Sequence, residues 1–380
     1  MKKLLPLTLL LICSCSFHSN PIKSSFNSNQ FLNKVANENE DYQIQILLTT
    51  INNNKGEKIF KDFQYQLDED QYFYPASTIK LPIVTLSLKK INELRSEGYN
   101  IDLKSKIKLY TENNSIKTDS ITSFQNLIAD VFLVSDNSAS NVLIDFIGYN
   151  YFNEEIKKAG FNNTYLNHKF NPDPFVKSTW TISDMNNNII SNNDNQIIVK
   201  ARDNLKDIDK GDNTFRNGEI IKGPINFSEK NRSSLLDMHN LLKYIFYPEI
   251  FDPKNSFNLY VEDYDFLRYW MSRFTYEDLG QKYMDDQKYF ETYNKFFIHG
   301  DDTLINDNNI RVYNKIGQAY GTSIDNAFIK NYNEDIEFFL TATIYTNKNR
   351  IINDNNYEYD EIAIPFLANL SREIYNLLLD

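Results

Sequence analysis

The order of strand-like and helix-like segments limits the fold of this chain more than any other feature. Alternating apolar residues predict strands over 43–50, 58–65, 310–314, 323–329 and 336–346. Helical spacing predicts helices over 77–94, 121–134, 139–159, 235–246, 264–274 and around 367–377. Since strands open and close the chain while helices fill the middle, we predict an α+β fold. Its first hairpin and its last strands would share one antiparallel sheet.

Composition excludes several classes of protein. Of the 380 residues, 41% are hydrophobic, which provides enough apolar surface for a large core and argues against a disordered chain. The 51 acidic residues outnumber the 40 basic ones by 11, so nucleic acid and anionic membrane surfaces are poor candidate partners. No paired ligand spacing links the four histidines, and we therefore predict no metal site and no cofactor.

The N-terminus has the layout of a secretory signal, with a basic pair at positions 2–3 followed by an apolar run over 4–12. Both cysteines of the chain, Cys13 and Cys15, follow directly, so no disulfide, thiolate metal site or catalytic cysteine is available elsewhere. The I-C-S-C segment resembles a bacterial lipobox, which implies cleavage before Cys15 and lipidation of that residue. An ordinary signal peptide with an incidental cysteine is the alternative.

We therefore predict a signal peptide over 1–14, a lipid-anchored and flexible tether over 15–35, and a folded domain over 36–380. The stretch from about 175 to 225 is polar and too long for an ordinary loop, which indicates an insertion with some structure of its own. The protein would be exported to the periplasm or cell envelope, and only the anchor would touch a membrane.

One candidate nucleophile is Ser77, which opens the S-x-x-K sequence that ends at Lys80. On a helix these two residues share a face, so the Lys80 amine can reach the Ser77 hydroxyl and activate it. The pattern alone is weak, because Ser87 and Ser105 begin further matches that would normally lie on solvated helix faces.

Two more motifs follow in the order expected of one enzyme family. Ser135, Asp136 and Asn137 form an S-D-N sequence between two predicted helices, and a K-x-G sequence with Lys315 and Gly317 lies on a predicted strand. The S-x-x-K, S-D-N and K-T-G motifs together are typical of class A β-lactamases and penicillin-binding proteins. The chain resembles the class A β-lactamase family at these motifs.

The resemblance extends to Phe73, four residues before the candidate nucleophile, and to the S-D-N-S-A-S-N sequence over 135–141. Tyr110 falls where the family carries an aromatic residue at the cleft entrance. The resemblance covers about two-thirds of the chain and implies a sheet lobe and a helical lobe with the catalytic cleft between them.

The family resemblance also implies roles. Ser77 would be acylated, Lys80 would accept or relay its proton, and Ser135 would pass a proton to the departing nitrogen. Asn137 would hold the substrate's side-chain amide, while Asp136 would brace its loop. Lys315, followed by Gly317, would attract a substrate carboxylate and lower nearby pKa values. The backbone N–H groups of Ser77 and Gln318 would form the oxyanion hole.

Three departures from the family pattern bear on turnover. The family's deacylating Glu lies about 36 residues after the S-D-N serine, where this chain has Asn171, which cannot take a proton from water at neutral pH. Asp173 and His168 are nearby substitutes. The middle position of K-T-G is Ile316, and the segment 318–329 has no Arg to assist Lys315.

These residues predict a serine hydrolase that opens β-lactam amides through an acyl-serine intermediate. The sequence shows no obvious base for fast deacylation of that intermediate. A penicillin-binding-protein-like peptidase or esterase that acts on cell-envelope substrates is one alternative. A non-turnover β-lactam- or peptidoglycan-binding lipoprotein is another. The expected partner is a small β-lactam or a cell-wall peptide, and the protein is expected to be a monomer.

Overall fold

A computed structural model describes residues 20–37, 42–112, 117–191, 196–302 and 309–379. Its centre is an antiparallel sheet of six strands, β1 (Gln45–Asn54), β2 (Glu57–Tyr65), β10 (Ile310–Asn314), β11 (Gly317–Ala319), β12 (Thr322–Asn331) and β13 (Ile336–Tyr345). Their order across the sheet is β10-β12-β13-β1-β2, with β11 paired to one end of β12. The first hairpin therefore pairs with the last strands, which confirms the predicted sheet.

Helices cover both faces of this sheet. The C-terminal helix Ile364–Leu379 and two N-terminal helices, Pro21–Ser28 and Gln30–Asn37, bury one face in an apolar cluster. The helix Leu235–Phe246 packs on the other face against β1, β12 and β13. Because both faces are covered, residues of β12 and β13 are buried along nearly their whole length instead of alternating.

The second lobe is mostly helical, and its apolar core continues onto Ile51, Phe328 and Phe339 of the sheet. Its helices are Lys80–Ser96, Phe124–Leu133, Asn137–Ile147, Tyr149–Lys158 and Val261–Ser272. The structure thus confirms the α+β class with two lobes. Within the described residues no helix has the length and apolarity that crossing a membrane requires.

The prediction of a flexible tether up to residue 35 is wrong for the part that the structure describes. Residues from Pro21 onward form the two N-terminal helices, in which Ile22, Phe26 and Leu32 are buried. The Phe26 ring stands edge-on to Tyr65 of β2, with 5.0 Å between the ring centroids. Apolar residues at helical spacing therefore bind this segment to the sheet lobe. The predicted signal peptide and Cys15 lie outside the described residues.

Two further segments differ from the predictions. The helix predicted over 139–159 is divided at Gly148, whose φ of 83° ends one helix and lets the next begin at an angle. A hairpin of β3 (Lys106–Glu112) and β4 (Lys117–Ser123) was not predicted, and β5 (Thr181–Ser183) extends it.

The predicted insertion has structure of its own. It contains β6 (Asp209–Lys210), β7 (Asn213–Arg216), β8 (Glu219–Lys222) and β9 (Ile225–Asn226). These short strands form a two-stranded and a three-stranded sheet, the latter completed by β14 (Ile351–Ile352) from the sheet lobe. The pairing of β7 with β14 therefore attaches this part of the insertion to the sheet lobe.

Candidate active site

Ser77 lies on a 3-10 turn, Ala76–Ile79, that leads directly into the helix beginning at Lys80. Such a turn places positions i and i+3 above one another, so the two side chains share a face as predicted. Ser77 is partly exposed, whereas Lys80 is fully buried. A candidate nucleophile at the surface thus has a candidate base beneath it.

The other two S-x-x-K matches have structural roles. The Ser87 hydroxyl is buried and donates to the carbonyl of Ile83 within its own helix. Ser105 caps an exposed turn by hydrogen bonding with Asp102. Neither faces the cleft, so Ser77 is the match that has the surroundings of a nucleophile.

The Lys80 ammonium group lies inside the S-D-N loop, where its closest acceptors are the carbonyl oxygen of Ser135 and Oδ1 of Asn137, each 2.6 Å from Nζ. The carbonyl of Asp136 at 3.3 Å and Oγ of Ser135 at 3.4 Å are more distant. Burial lowers the pKa of Lys80 well below its usual value, and the positive charge of Lys315 lowers it further.

This geometry suits a proton acceptor. A neutral amine has two N–H groups and one lone pair, and the two acceptors at 2.6 Å use both N–H groups. These two acceptors therefore leave the lone pair of Lys80 unused.

Lys315 is the second buried amine of the site and occupies the break between β10 and β11. Its Nζ donates to Oγ of Ser135 at 2.9 Å and to the carbonyl of Ile316 at 3.0 Å. Burial lowers the pKa of Lys315 to about 7, although the carboxylate of Asp325 opposes the shift. Two lysines therefore converge on one serine hydroxyl, an arrangement that can pass a proton through Ser135.

A buried polar network supports Lys315 from below. Lys295 donates to Oδ1 of Asn314 at 2.7 Å, and the amide group of Asn314 donates to both carboxylate oxygens of Asp325. Asp325 also accepts the backbone N–H groups of residues 296 and 297. Because Asn314 immediately precedes Lys315, this network fixes the backbone from which Lys315 extends.

The S-D-N loop is braced as predicted. Asp136 caps the helix Asn137–Ile147 by accepting the backbone N–H of Ala139 at 2.6 Å. Ser135 has a φ of 56°, a backbone conformation that residues other than glycine rarely adopt. The amide of Asn137 donates to the carbonyl of Asn171 at 2.9 Å, which leaves its second N–H for a substrate.

The loop opposite carries the residues considered for deacylation. Asn171 is exposed and lines the cleft, but an amide is not a base. Asp173 is buried and its carboxylate accepts from Asn141 at 2.6 Å and from the backbone of Phe175, so it holds the loop instead of facing the cleft. Asp173 is therefore wrongly placed for a base. His168 lines the cleft, but its Nδ1 is hydrogen-bonded to the carbonyl of Lys169 and its Nε2 is buried.

The cleft consists of two cavities that meet at Ser77. The larger has a volume of about 490 Å³ and is lined by Ser135, Gly317 and Lys288 among others. The smaller, of about 200 Å³, lies on the side of His168 and Lys230. Both cavities include Ser77, Asn137, Asn171 and Gln318, so the structure brings together the predicted nucleophile, substrate-binding amide and oxyanion donor.

Gly317 lies against the turn that carries the nucleophile. A Cβ atom at this position would lie 2.8 Å from the carbonyl oxygen of Pro75 and 3.0 Å from the backbone nitrogen of Ser77. Only glycine lets the strand approach this closely. The close approach places the following residue, Gln318, beside Ser77 at the mouth of both cavities.

Some site residues differ from the predictions. Tyr110 lines neither cavity; it is exposed on β3 and its hydroxyl donates to Glu112. Sequence reasoning missed Lys288, Tyr289 and Lys230, which line the cleft from segments outside the three motifs. Among the residues that the structure describes, no group of three His, Cys, Asp or Glu side chains could hold a metal ion.

Comparison with known proteins identifies the family. Residues 27–260 match the model of the Beta-lactamase2 family, described as the beta-lactamase enzyme family. A search among curated proteins finds no match.

Solved structures share the fold at low identity. PBP-A is similar with a TM-score of 0.55 at 15% identity, over 95% of this chain and 96% of that one. A point mutant of PBP-A, solved as an acyl-enzyme complex with penicillin G, has a TM-score of 0.53 at 16% identity, over 94% and 96%. A beta-lactamase from Sphaerobacter thermophilus has a TM-score of 0.51 at 13% identity, over 93% of this chain and 94% of that one.

The family model spans more than half of this chain. The chain therefore belongs to the beta-lactamase enzyme family and is a serine hydrolase of that type.

Proposed function

We propose that this protein opens the amide bond of β-lactams by forming an acyl-enzyme on Ser77, and that water hydrolyses this acyl-enzyme slowly. The observation that carries the proposal is the convergence of Lys80 and Lys315 on Oγ of Ser135, at the edge of the cavity that contains Ser77. The fold accommodates such a ligand in PBP-A, a mutant of which is an acyl-enzyme complex with penicillin G.

In the proposed reaction, Oγ of Ser77 attacks the lactam carbonyl carbon while its proton passes to the neutral amine of Lys80. The backbone N–H groups of Ser77 and Gln318 stabilise the negative oxygen. The carbon–nitrogen bond then breaks, and the nitrogen receives a proton through the hydroxyl of Ser135. Lys315 attracts the substrate carboxylate, which lies on the leaving side of the bond.

Hydrolysis of the ester needs a group that takes a proton from water. The side chain of Asn171 faces the cleft without being basic, and the carboxylate of Asp173 is engaged with Asn141. Both observations support acylation that is faster than deacylation. They also favour the second candidate function, a penicillin-binding protein or peptidoglycan peptidase that a β-lactam acylates and stalls.

The test is a stopped-flow measurement with a chromogenic cephalosporin, combined with intact-mass spectrometry of the protein. We expect a burst that matches one acyl group per protein and then a slow phase. Asn171→Glu should speed the slow phase roughly tenfold or more, less than the ~10²–10⁴ typical of a well-positioned general base, while changing the burst less. Asn171→Gln, of the same length without a carboxylate, is the control and should leave the slow phase slow.

Two outcomes would contradict the proposal in different ways. Fast steady turnover without accumulated acyl-enzyme would mean that another residue supplies the base. Absence of any covalent adduct would exclude β-lactam acylation and move the protein to the peptidase, esterase or non-enzymatic alternatives.

The place of action is part of the same proposal. An envelope enzyme must be exported, and the lipobox-like segment that ends at Cys15 supports export followed by lipid anchoring. The segment lies outside the described residues, so the support is from sequence.

A further inference from the structure

The smaller of the two cavities is distinct in chemistry from the larger one. Its walls include the rings of Tyr74 and Tyr320 and the side chains of His168 and Lys230, beyond the shared residue Ser77. An adjoining space of about 410 Å³ is also lined by His168 and Lys230, so a group in the cavity has room to extend outward.

The position of Ser135 shows which part of a substrate would enter this cavity. Ser135 delivers the proton to the leaving nitrogen and lines the larger cavity, but it is not part of the smaller one. The leaving side of the substrate therefore occupies the larger cavity. The group on the other side of the carbonyl carbon, the acyl side chain, is directed into the smaller cavity past Asn137 and Asn171.

Lys230 supplies this cavity with a positive charge that the protein itself does not neutralise. The side chain is half-buried, and its pKa is lowered by burial without any carboxylate that raises it. Among the described residues Lys230 forms no ion pair, although Glu229 lines the adjoining space. A partly buried ammonium without a counter-ion favours an anionic ligand.

The neutral ring of His168 lies beside this charge. Its Nδ1 lies 2.8 Å from the carbonyl oxygen of Lys169, which assigns the ring proton to Nδ1 and leaves Nε2 as an acceptor. Nε2 is buried without a hydrogen-bond partner among the described residues. Burial, together with the charge of Lys230, lowers the pKa of His168 to about 4 although the hydrogen bond to Lys169 opposes the shift, so the ring is neutral near pH 7.

We propose that the smaller cavity is a subsite for an acyl side chain that carries a carboxylate, which pairs with Lys230. The subsite deepens the proposed function, since it rests on acyl transfer at Ser77. It names the substrate class: a β-lactam or a cell-envelope peptide with an anionic group on the acyl side of the scissile amide.

Three penicillins with nearly the same skeleton test the proposal. Carbenicillin carries a carboxylate on the side-chain carbon where ampicillin carries an ammonium group and benzylpenicillin carries hydrogen. The second-order acylation rate constant of each is measured by stopped flow and intact mass at low salt. We expect the order carbenicillin, benzylpenicillin, ampicillin, with roughly tenfold between the first two, as for one charge-assisted hydrogen bond.

The decisive quantity is the ratio of the carbenicillin and benzylpenicillin rates, compared between wild type and variants, because the ratio cancels intrinsic reactivity. Lys230→Met should reduce the ratio about tenfold, and Lys230→Arg should preserve it. Lys222→Met is the control: it removes the same charge from the exposed strand β8 of the insertion, away from both cavities, and should leave the ratio unchanged.

The outcomes separate the subsite from the reaction. If benzylpenicillin acylates the protein and the ratio is the same in wild type and Lys230→Met, the subsite is wrong and the proposed function stands. Faster acylation by ampicillin than by carbenicillin would also contradict the subsite. It would mean that the carboxylate of Glu229, and not Lys230, sets the charge preference of the cavity. If no penicillin acylates the wild type, the proposed function fails and the subsite fails with it.

Discussion

Adding a single methyl group at Gly317 is expected to slow acylation without unfolding the protein. The φ angle of Gly317 lies outside the left-handed region, so alanine can adopt the backbone conformation. The obstacle is space: the new Cβ would lie 2.8 Å from the carbonyl oxygen of Pro75, 2.9 Å from the nitrogen of Thr78 and 3.0 Å from the nitrogen of Ser77. All three atoms belong to backbone, which cannot rotate away as a flexible side chain would.

The size of the effect follows from these distances. Ordinary contact begins at 3.4 Å, so the strand and the nucleophile turn must separate by 3.4 − 3.0 = 0.4 Å at Ser77 and by 3.4 − 2.8 = 0.6 Å at Pro75. A misplacement of about 1 Å can cost roughly a hundredfold in rate, and loss of one oxyanion donor costs about 10² to 10³. We therefore expect Gly317→Ala to slow acylation by about 10- to 100-fold, at a stability cost of about 1–3 kcal/mol for overpacking.

The assay is the stopped-flow acylation rate with benzylpenicillin, with thermal unfolding measured in parallel. Gln318→Ala is the matched comparison, because it removes a side-chain hydrogen bond to Ser323 but retains the backbone N–H. Its acylation rate should fall much less than that of Gly317→Ala. If folded Gly317→Ala acylates within about threefold of wild type, the close approach does not position the oxyanion donors and the reasoning fails.

Three further predictions concern the nucleophile, the lysines and the anchor. Ser77→Ala should abolish labelling by a fluorescent penicillin, whereas Ser87→Ala should still label; persistent labelling of Ser77→Ala would refute the assignment. Acylation by an anionic β-lactam should rise with pH as Lys80 loses its proton and fall above about pH 7 as Lys315 loses its charge. Lys315→Met should remove the falling limb, and a flat wild-type profile would contradict both roles. Cys15→Ser should abolish incorporation of a radioactive fatty acid, and retained label would exclude the lipobox interpretation.

The motif residues could be predicted because their arrangement is mostly local. The spacing of Ser77 and Lys80 is one helical turn, and the capping role of Asp136 follows from its position before a helix. The approach of Lys315 came from the family resemblance, since nothing in the sequence alone brings residues 180 positions apart onto Ser135.

The residues that were missed depend on distant packing. Lys230 and Lys288 lie within irregular segments, outside the three motifs, and reach the cleft only in the folded chain. The N-terminal helices, in contrast, carry a local helix-capping signal. Their segment is also rich in Ser and Asn, a composition that predicts a flexible tether instead. Asn20 caps the first helix by accepting the backbone N–H of Ile22, and Pro21 occupies the first helical position.

The contact between Asn137 and Asn171 has a consequence for how such an enzyme can evolve. Only the backbone carbonyl of Asn171 is used, and the amide that holds it also accepts a hydrogen bond from Lys80. Any side chain at position 171 can therefore be substituted without disturbing that contact, provided the loop keeps its path. A lineage could exchange long-lived capture of an inhibitor for rapid destruction of it through one codon, while the machinery that forms the covalent bond stays intact.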